Sequence, residues 1–197
     1  MRPLTTFSLC VCIHLAFVTS TAVGQDLISY DQGWRYAIAD RDLGNPILNV
    51  FMDPSYNDSG WPIGIGPFGS GVLGEGTCPL QAYAQTGWGS PTRLLLRTRF
   101  EADPGVPLIG HFAVDNDVVG IWVNGILVAS AGHDGCPVRD EFFFTVPSAV
   151  LNRGSANVIA VHASNNGSEA YFELRLTPEA ATPAARYSWG RVRALYR

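Results

Sequence analysis

The 197-residue chain contains no lysine; all thirteen of its basic residues are arginine. Its formal net charge is −4. Nucleic-acid binding rests on neutralising many phosphates at once, so this mildly acidic chain is not expected to have a nucleic-acid partner. No CxxC, HExxH, G-x-S-x-G or EF-hand spacing occurs. Those absences remove the usual sequence signatures of a zinc site, a zinc protease, a serine-nucleophile elbow and a calcium-binding loop. No stretch holds a 3.6-residue apolar period over the length of a helix. There is no internal repeat. The apolar run Phe7 to Val18 covers 12 residues, too few to cross a bilayer as a helix.

That run reads instead as the middle of a secretory signal over residues 1–24. Arg2 supplies the charged start, and Ala22 and Gly24 are the small residues before an expected cleavage. The alternative is an uncleaved anchor. Cleavage removes Cys10 and Cys12, leaves no transmembrane segment, and implies a secreted, cell-surface or periplasmic protein. The two remaining cysteines, Cys78 and Cys136, are expected to pair in an oxidising compartment, with two free thiols as the alternative. Residues 25–179 hold eight arginines against seventeen acids, a net of −9, whereas residues 180–197 hold four arginines and no acid. An acidic body over 25–177 is thus followed by a linker and a basic, aromatic tail over 178–197. The tail is read as a frayed end, a partner-binding segment, or an export or attachment signal.

What the body does contain is turn chemistry and alternation. Gly33 to Ala39 reads as an edge strand, Arg93 to Phe100 as a clear strand, and Glu141 to Val146, Asn157 to Ser164 and Tyr171 to Thr177 as three more. Leu108 to Val114 and Val118 to Val123 read as two strands meeting at the polar corner Asp115-Asn116-Asp117. Asn124-Gly125 is a strong hairpin signal, because a type I′ turn needs positive φ at both central residues. Gly64 to Gly69 matches G-x-G-x-x-G, but Pro62, Pro67 and the absence of a following helix make it a long loop rather than a dinucleotide fingerprint. Short strands with frequent turns predict an all-β antiparallel sandwich or barrel.

Chemistry-bearing residues are sparse. Arg93, Arg97 and Arg99 share one strand face, either as an anion-binding ladder or as a solvated face paired with acids on a neighbouring strand. Tyr83 and Trp88 lie in a polar, glycine-bearing stretch. They are candidate stacking rings for a sugar, with coverage of the core as the other reading of Trp88. Trp61 follows the turn-rich loop Asp53 to Gly60 either as a plug or as a displayed ring. Asp115 and Asp117 are candidate ligand residues for a sugar or for calcium, an acid/base pair, or a corner bonded to local backbone. Asn57 and Asn166 head sequons for glycosylation.

Gly110-His111-Phe112, Val114-Asp115, Trp122-Val123-Asn124-Gly125, Gly132-His133, Glu141 to Val146 and Gly154 with Asn157 to Val161 together form a familiar pattern. Upstream, Trp34-Arg35-Tyr36, Tyr56 to Trp61, Pro67-Phe68-Gly69 and Leu94 to Arg97 extend it. Over about residues 30–177 the chain resembles the galactose-binding-like jelly roll, the sugar-binding domain of β-galactosidase-type glycoside hydrolases. The resemblance implies a jelly-roll β-sandwich that does no catalysis itself and binds carbohydrate or another cell-surface component. It also implies that a structural calcium is a cofactor to test for. A structural envelope protein held by its C-terminal tail, and a small glycoside-directed hydrolase, are the alternative expectations.

Overall fold

The computed structural model describes residues 25–40, 46–73, 77–89, 92–133, 135–167 and 169–179. The expected signal segment, the tail from residue 180, Asp134 and Ser168 lie outside the described residues. Ten strands follow in order: β1 (Gly33–Asp40), β2 (Ile63–Ile65), β3 (Phe68–Gly69), β4 (Thr86–Gly87), β5 (Thr92–Phe100), β6 (Leu108–Val123), β7 (Ile126–His133), β8 (Phe142–Val146), β9 (Asn157–Ser164) and β10 (Tyr171–Pro178). Among the described residues there is no α-helix, only short 3-10 turns. No helix among them is long and apolar enough to cross a membrane. The expected all-β sandwich is what forms, and the pairing is antiparallel except between β3 and β4.

The strands compose two layers joined by one element. One layer runs β8-β6-β10-β3-β4 and the other runs β2-β1-β5-β9-β6-β7. β6 belongs to both. Its first half, Leu108 to Asp115, pairs with β10, and its second half, Asn116 onward, pairs with β7 and β9. The two strands expected on either side of Asp115-Asn116-Asp117 are therefore one 16-residue strand that changes sheets at the polar triplet. The residues looked like a turn because they are polar. Their side chains instead bond laterally: the Asn116 carboxamide oxygen accepts from Asn166 N–H at 2.8 Å and Gly167 N–H at 3.0 Å. At the far end β6 turns into β7 through Asn124 and Gly125, with φ of 51° and 81°, as the hairpin signal requires.

Alternation decides the core. Leu94, Leu96 and Phe100 of β5 meet Phe172, Leu174 and Leu176 of β10 in one apolar cluster between the layers. At Gly110 an added Cβ would lie 2.1 Å from the Phe144 ring, so a strand glycine is covered by its cross-strand aromatic. β1 was expected at an edge, but β2 flanks Gly33 to Arg35, so its first half is internal.

The outward face of β5 is where the sequence reading needs most revision. Arg97 was read on a solvated ladder; it is 0% exposed. The 46–61 segment folds over that face and carries a second apolar cluster of Phe51, Leu95 and Ala160 with Trp122, Tyr56 and Trp61 packed on it. Trp61 thus acts as a packed ring, edge-on to Tyr56 at 5.7 Å. Arg97 is the polar pin beneath this cover. It donates to the carbonyls of Phe51 and of Asp53 (3.1 Å), and its Nε donates to Asp58 Oδ2 at 2.8 Å. The acid that pairs it comes from the loop, not from a neighbouring strand.

His162 sits in the same layer, opposite Leu95 on one side and Gly120 on the other. Burial, reinforced by the Arg93 guanidinium 3.1 Å from its ring, pushes its pKa down to about 4. The outer margin of the first layer is β8, five residues long and paired only with β6 among the described residues; its Phe143 is 75% exposed.

Two outcomes follow from this layer. Breaking a buried ion pair from one side leaves an uncompensated charge and costs about 3–5 kcal/mol. Asp58→Ala is therefore expected to lower the urea midpoint by that equivalent; a shift under about 1 kcal/mol would mean Arg97 is held by the carbonyls alone. His162 binds its proton more weakly folded than unfolded, so its contribution is complete above pH 6.5 and is lost as pH falls towards 4. Its share is at most about 3 kcal/mol. In melting curves from pH 7 to 4, His162→Gln should flatten the acid-side fall in Tm, and parallel curves would refute the assignment.

Candidate functional site

The Cys78–Cys136 disulfide is formed, with Cα atoms 5.1 Å apart and a sequence separation of 58. Cys78 precedes a 3-10 turn, Pro79–Tyr83, started by a proline whose missing N–H costs nothing at that position. The Cys78 N–H donates to Gln81 Oε1 at 3.0 Å. Five residues after Cys78 comes Tyr83, and three residues after Cys136 comes Arg139. The bridge thereby brings two distant segments together. The Arg139 guanidinium lies 5.5 Å from the Tyr83 ring centre and 4.8 Å from that of Tyr30.

Arg139 is held from below. Its Nε and Nη2 donate to the two Glu173 oxygens at 3.1 and 3.0 Å, and the Tyr171 hydroxyl donates to Glu173 Oε2 at 2.8 Å. Glu173 and Tyr171 are both buried in β10. The Tyr30 hydroxyl donates to Asp140 Oδ1, whose other oxygen accepts from Arg175 Nη2 at 3.1 Å. Rotamers fixed in this way make a rigid platform.

Above it opens a depression of about 300 Å³ lined by Tyr30, Tyr83, Arg139, Asp26, Asp31 and Gln85, among others. Tyr83 is 60% exposed at its rim. Burial, and then the Asp140 hydrogen bond, drive the Tyr30 phenol well above its usual range. Burial and the Glu173 charge do the same to Tyr171. The Glu173 hydrogen bond keeps Arg139 charged. At neutral pH these groups are hydrogen-bond donors and ring faces, not bases or nucleophiles.

The disulfide itself lines a second cavity, of about 460 Å³, together with Thr77, Asp115, Asn116, Gly135, Gly167 and Glu169. Glu169 accepts from the Thr77 hydroxyl at 2.7 Å and from its N–H at 3.1 Å, which holds its carboxyl below the usual range. It is an ionised acceptor there rather than a proton donor.

The four residues expected to bind ligand do not form one site. Tyr83 lines the first cavity and Asp115 the second. Asp117 lines neither, and its Oδ2 accepts from Asn166 Nδ2 at 3.1 Å. Trp88 is a correction: it is 1% exposed within the apolar core and offers no face to a sugar. The physical cause is local. β4 pairs in parallel with β3, and the Trp88 N–H donates to the Gly69 carbonyl at 3.1 Å, so the chain there is tied into the sheet and the ring goes inward.

The calcium expectation also meets a poor fit. A hard cation of this kind takes six to eight oxygen ligands. At the corner, Asp115 Oδ1 accepts from Asn116 Nδ2 at 2.8 Å, and Asp117 is engaged by Asn166. No three His, Cys, Asp or Glu groups among the described residues converge as a metal cluster. The triplet is a laterally bonded strand crossing rather than a cation cage.

Tyr30 and Arg139 were missed from sequence. Neither sits in a motif, and the only signal was Arg139 close behind a cysteine whose partner precedes Tyr83.

No known protein-family model matches the chain. No curated protein matches it. Among solved structures, it is similar to a glycosyl hydrolase family 2 member from Bacteroides cellulosilyticus, at 19% identity and TM-score 0.47, covering 77% of this chain and 20% of that chain. It is also similar to a Lactobacillus rhamnosus β-glucuronidase, at 13% identity and TM-score 0.49, over 78% and 28%. A Ruminococcus gnavus β-glucuronidase in complex with D-glucuronic acid aligns at 12% identity and TM-score 0.48, over 80% and 30%. The chain spans less than a third of the length of each of these enzymes. Likeness at this depth carries no activity across.

Because the disulfide closes a long loop, the chain-entropy model assigns it about 4 kcal/mol. Cys136→Ser is expected to lower the denaturation midpoint by up to that amount. Equal midpoints for the oxidised and reduced protein would show that the bridge does not constrain the platform.

Proposed function

We propose that this protein is a secreted, non-catalytic module that binds carbohydrate on a cell surface. The observation that carries the reading is Tyr83, a ring 60% exposed at the rim of a cavity whose floor is fixed by the Glu173–Arg139 pair. The C–H face of a sugar packs against such a ring. Asp26, Asp31 and Gln85 stand around it as hydrogen-bonding groups for hydroxyls. Sites of this kind combine a flat apolar surface with a few placed polar groups.

The rest of the reading draws support from three sources. The signal-like residues 1–24 favour export, and the disulfide suits an oxidising compartment. The sequence resemblance to galactose-binding-like jelly rolls favours sugar as the ligand. The protonated phenols and the ionised, hydrogen-bonded Glu169 favour binding over acid/base chemistry.

A glycan-array screen of the purified protein tests it. Selective binding is expected, and Tyr83→Ala should weaken it at least about tenfold, the loss of a stacked aromatic anchor. A chelator should leave binding unchanged. Full binding by Tyr83→Ala would overturn the site, and no binding by the wild-type protein would overturn the carbohydrate reading.

A further inference from the structure

A third cavity, of about 310 Å³, lies on the far layer among β1, β2 and β5, and is lined by Trp34, Arg35, Asp58, Arg97, Arg99 and neighbours. The body is acidic overall, yet three of its eight arginines meet here around one carboxylate. Asp58 is already committed to Arg97, at 2.8 Å. Arg35 spends its Nη1 on the Trp61 carbonyl at 2.7 Å. Arg99 reaches Asp58 only at 3.8 Å, beyond hydrogen-bond range, and its side chain is 54% exposed. The lining therefore carries a net charge of about +2 inside a negative protein, with guanidinium N–H groups unspent. Two guanidinium forks at one open cavity suit a ligand oxyanion, which they bind by short, charge-assisted hydrogen bonds.

We propose that this cavity binds an oxyanion of an acidic ligand: a carboxylate, a sulfate ester or a phosphate. Arg99 is the exposed binding residue and Arg35 its companion, while Arg97 is the buried pin that fixes the strand beneath them. Anion binding removes the repulsion among the three guanidiniums that Asp58 alone leaves uncancelled. The site does not depend on the Tyr83 depression, because the two cavities share no lining residue: one is built on β1 and β5 with Asp58, the other on residues before β1 together with Pro67, Tyr83, Gln85 and Arg139.

Isothermal titration at low ionic strength, with galacturonate, inorganic sulfate and inorganic phosphate as separate probes, tests the proposal. At least one probe is expected to bind, with affinity falling as sodium chloride is raised, and galactose is expected to give no heat at this cavity. The probe that binds tightest identifies the oxyanion. Arg99→Gln, at a largely exposed position, should keep the wild-type Tm and bind at least about tenfold more weakly. Arg99→Lys should recover most of the loss if charge is what counts. Tyr83→Ala should bind the anion as the wild type does, which separates this site from the sugar platform. Absence of binding for all three probes, or equal affinity in Arg99→Gln, would overturn the proposal.

Discussion

The architecture depends on one strand keeping both sheets in register. β6 carries pairing on both flanks in each half, so any slip at its midpoint would turn every side chain of one layer to the wrong face. The amide of Asn116 prevents the slip. By accepting from Asn166 and Gly167 it fixes the crossing point against the loop that leads from β9 to β10. The two layers part at that lateral bond, and the apolar interior lies between them.

Two coverings are then laid on the sandwich from outside, and each hides a charge. The 46–61 segment is pinned by Arg97, and the segments on either side of the disulfide close over Glu173 and Tyr171. In both places a buried ionic group is satisfied by an opposite charge together with further hydrogen bonds, the condition under which such burial is tolerable. Each covering also leaves arginine beside an opening. The surroundings differ: at Arg139 two phenol rings and several acids stand beside the guanidinium, whereas at Arg99 acid is scarce.

Much of this was legible beforehand because strands advertise themselves through alternation. β9 was read to its observed ends, β5 and β10 to within one residue, and the Asn124-Gly125 hairpin from two residues whose backbone preference admits little else. Legibility failed where a second layer altered the meaning of a face. Arg97 was assigned to the right side of β5, but alternation cannot say that a loop thirty-odd residues earlier will bury that side. The clue was present in the apolar run Ile47 to Phe51 and in Tyr56, Asp58 and Trp61, rings and an acid set among turn residues. Trp88 was ambiguous for the opposite reason, since a ring after a glycine faces whichever way the neighbouring pairing sends it. The ring platform was beyond sequence reading, because Tyr30, Tyr83 and Arg139 share no spacing and meet only in the fold, through the cross-link, the Arg139–Glu173 pair and the Tyr30–Asp140 bond.

β8 has a bearing on how copies of the protein behave towards one another. A margin strand whose outer N–H and C=O groups face solvent is a template for another chain, and a bare phenylalanine such as Phe143 adds an adhesive face. Lysine, the residue most often placed on such margins as a repellent, is missing from the whole sequence. What limits edge-to-edge association is brevity: the strand has five residues, and Pro147 follows at once and cannot donate to a further rung. At this margin, further pairing is thus limited by the shortness of one strand and by the position of one imino acid.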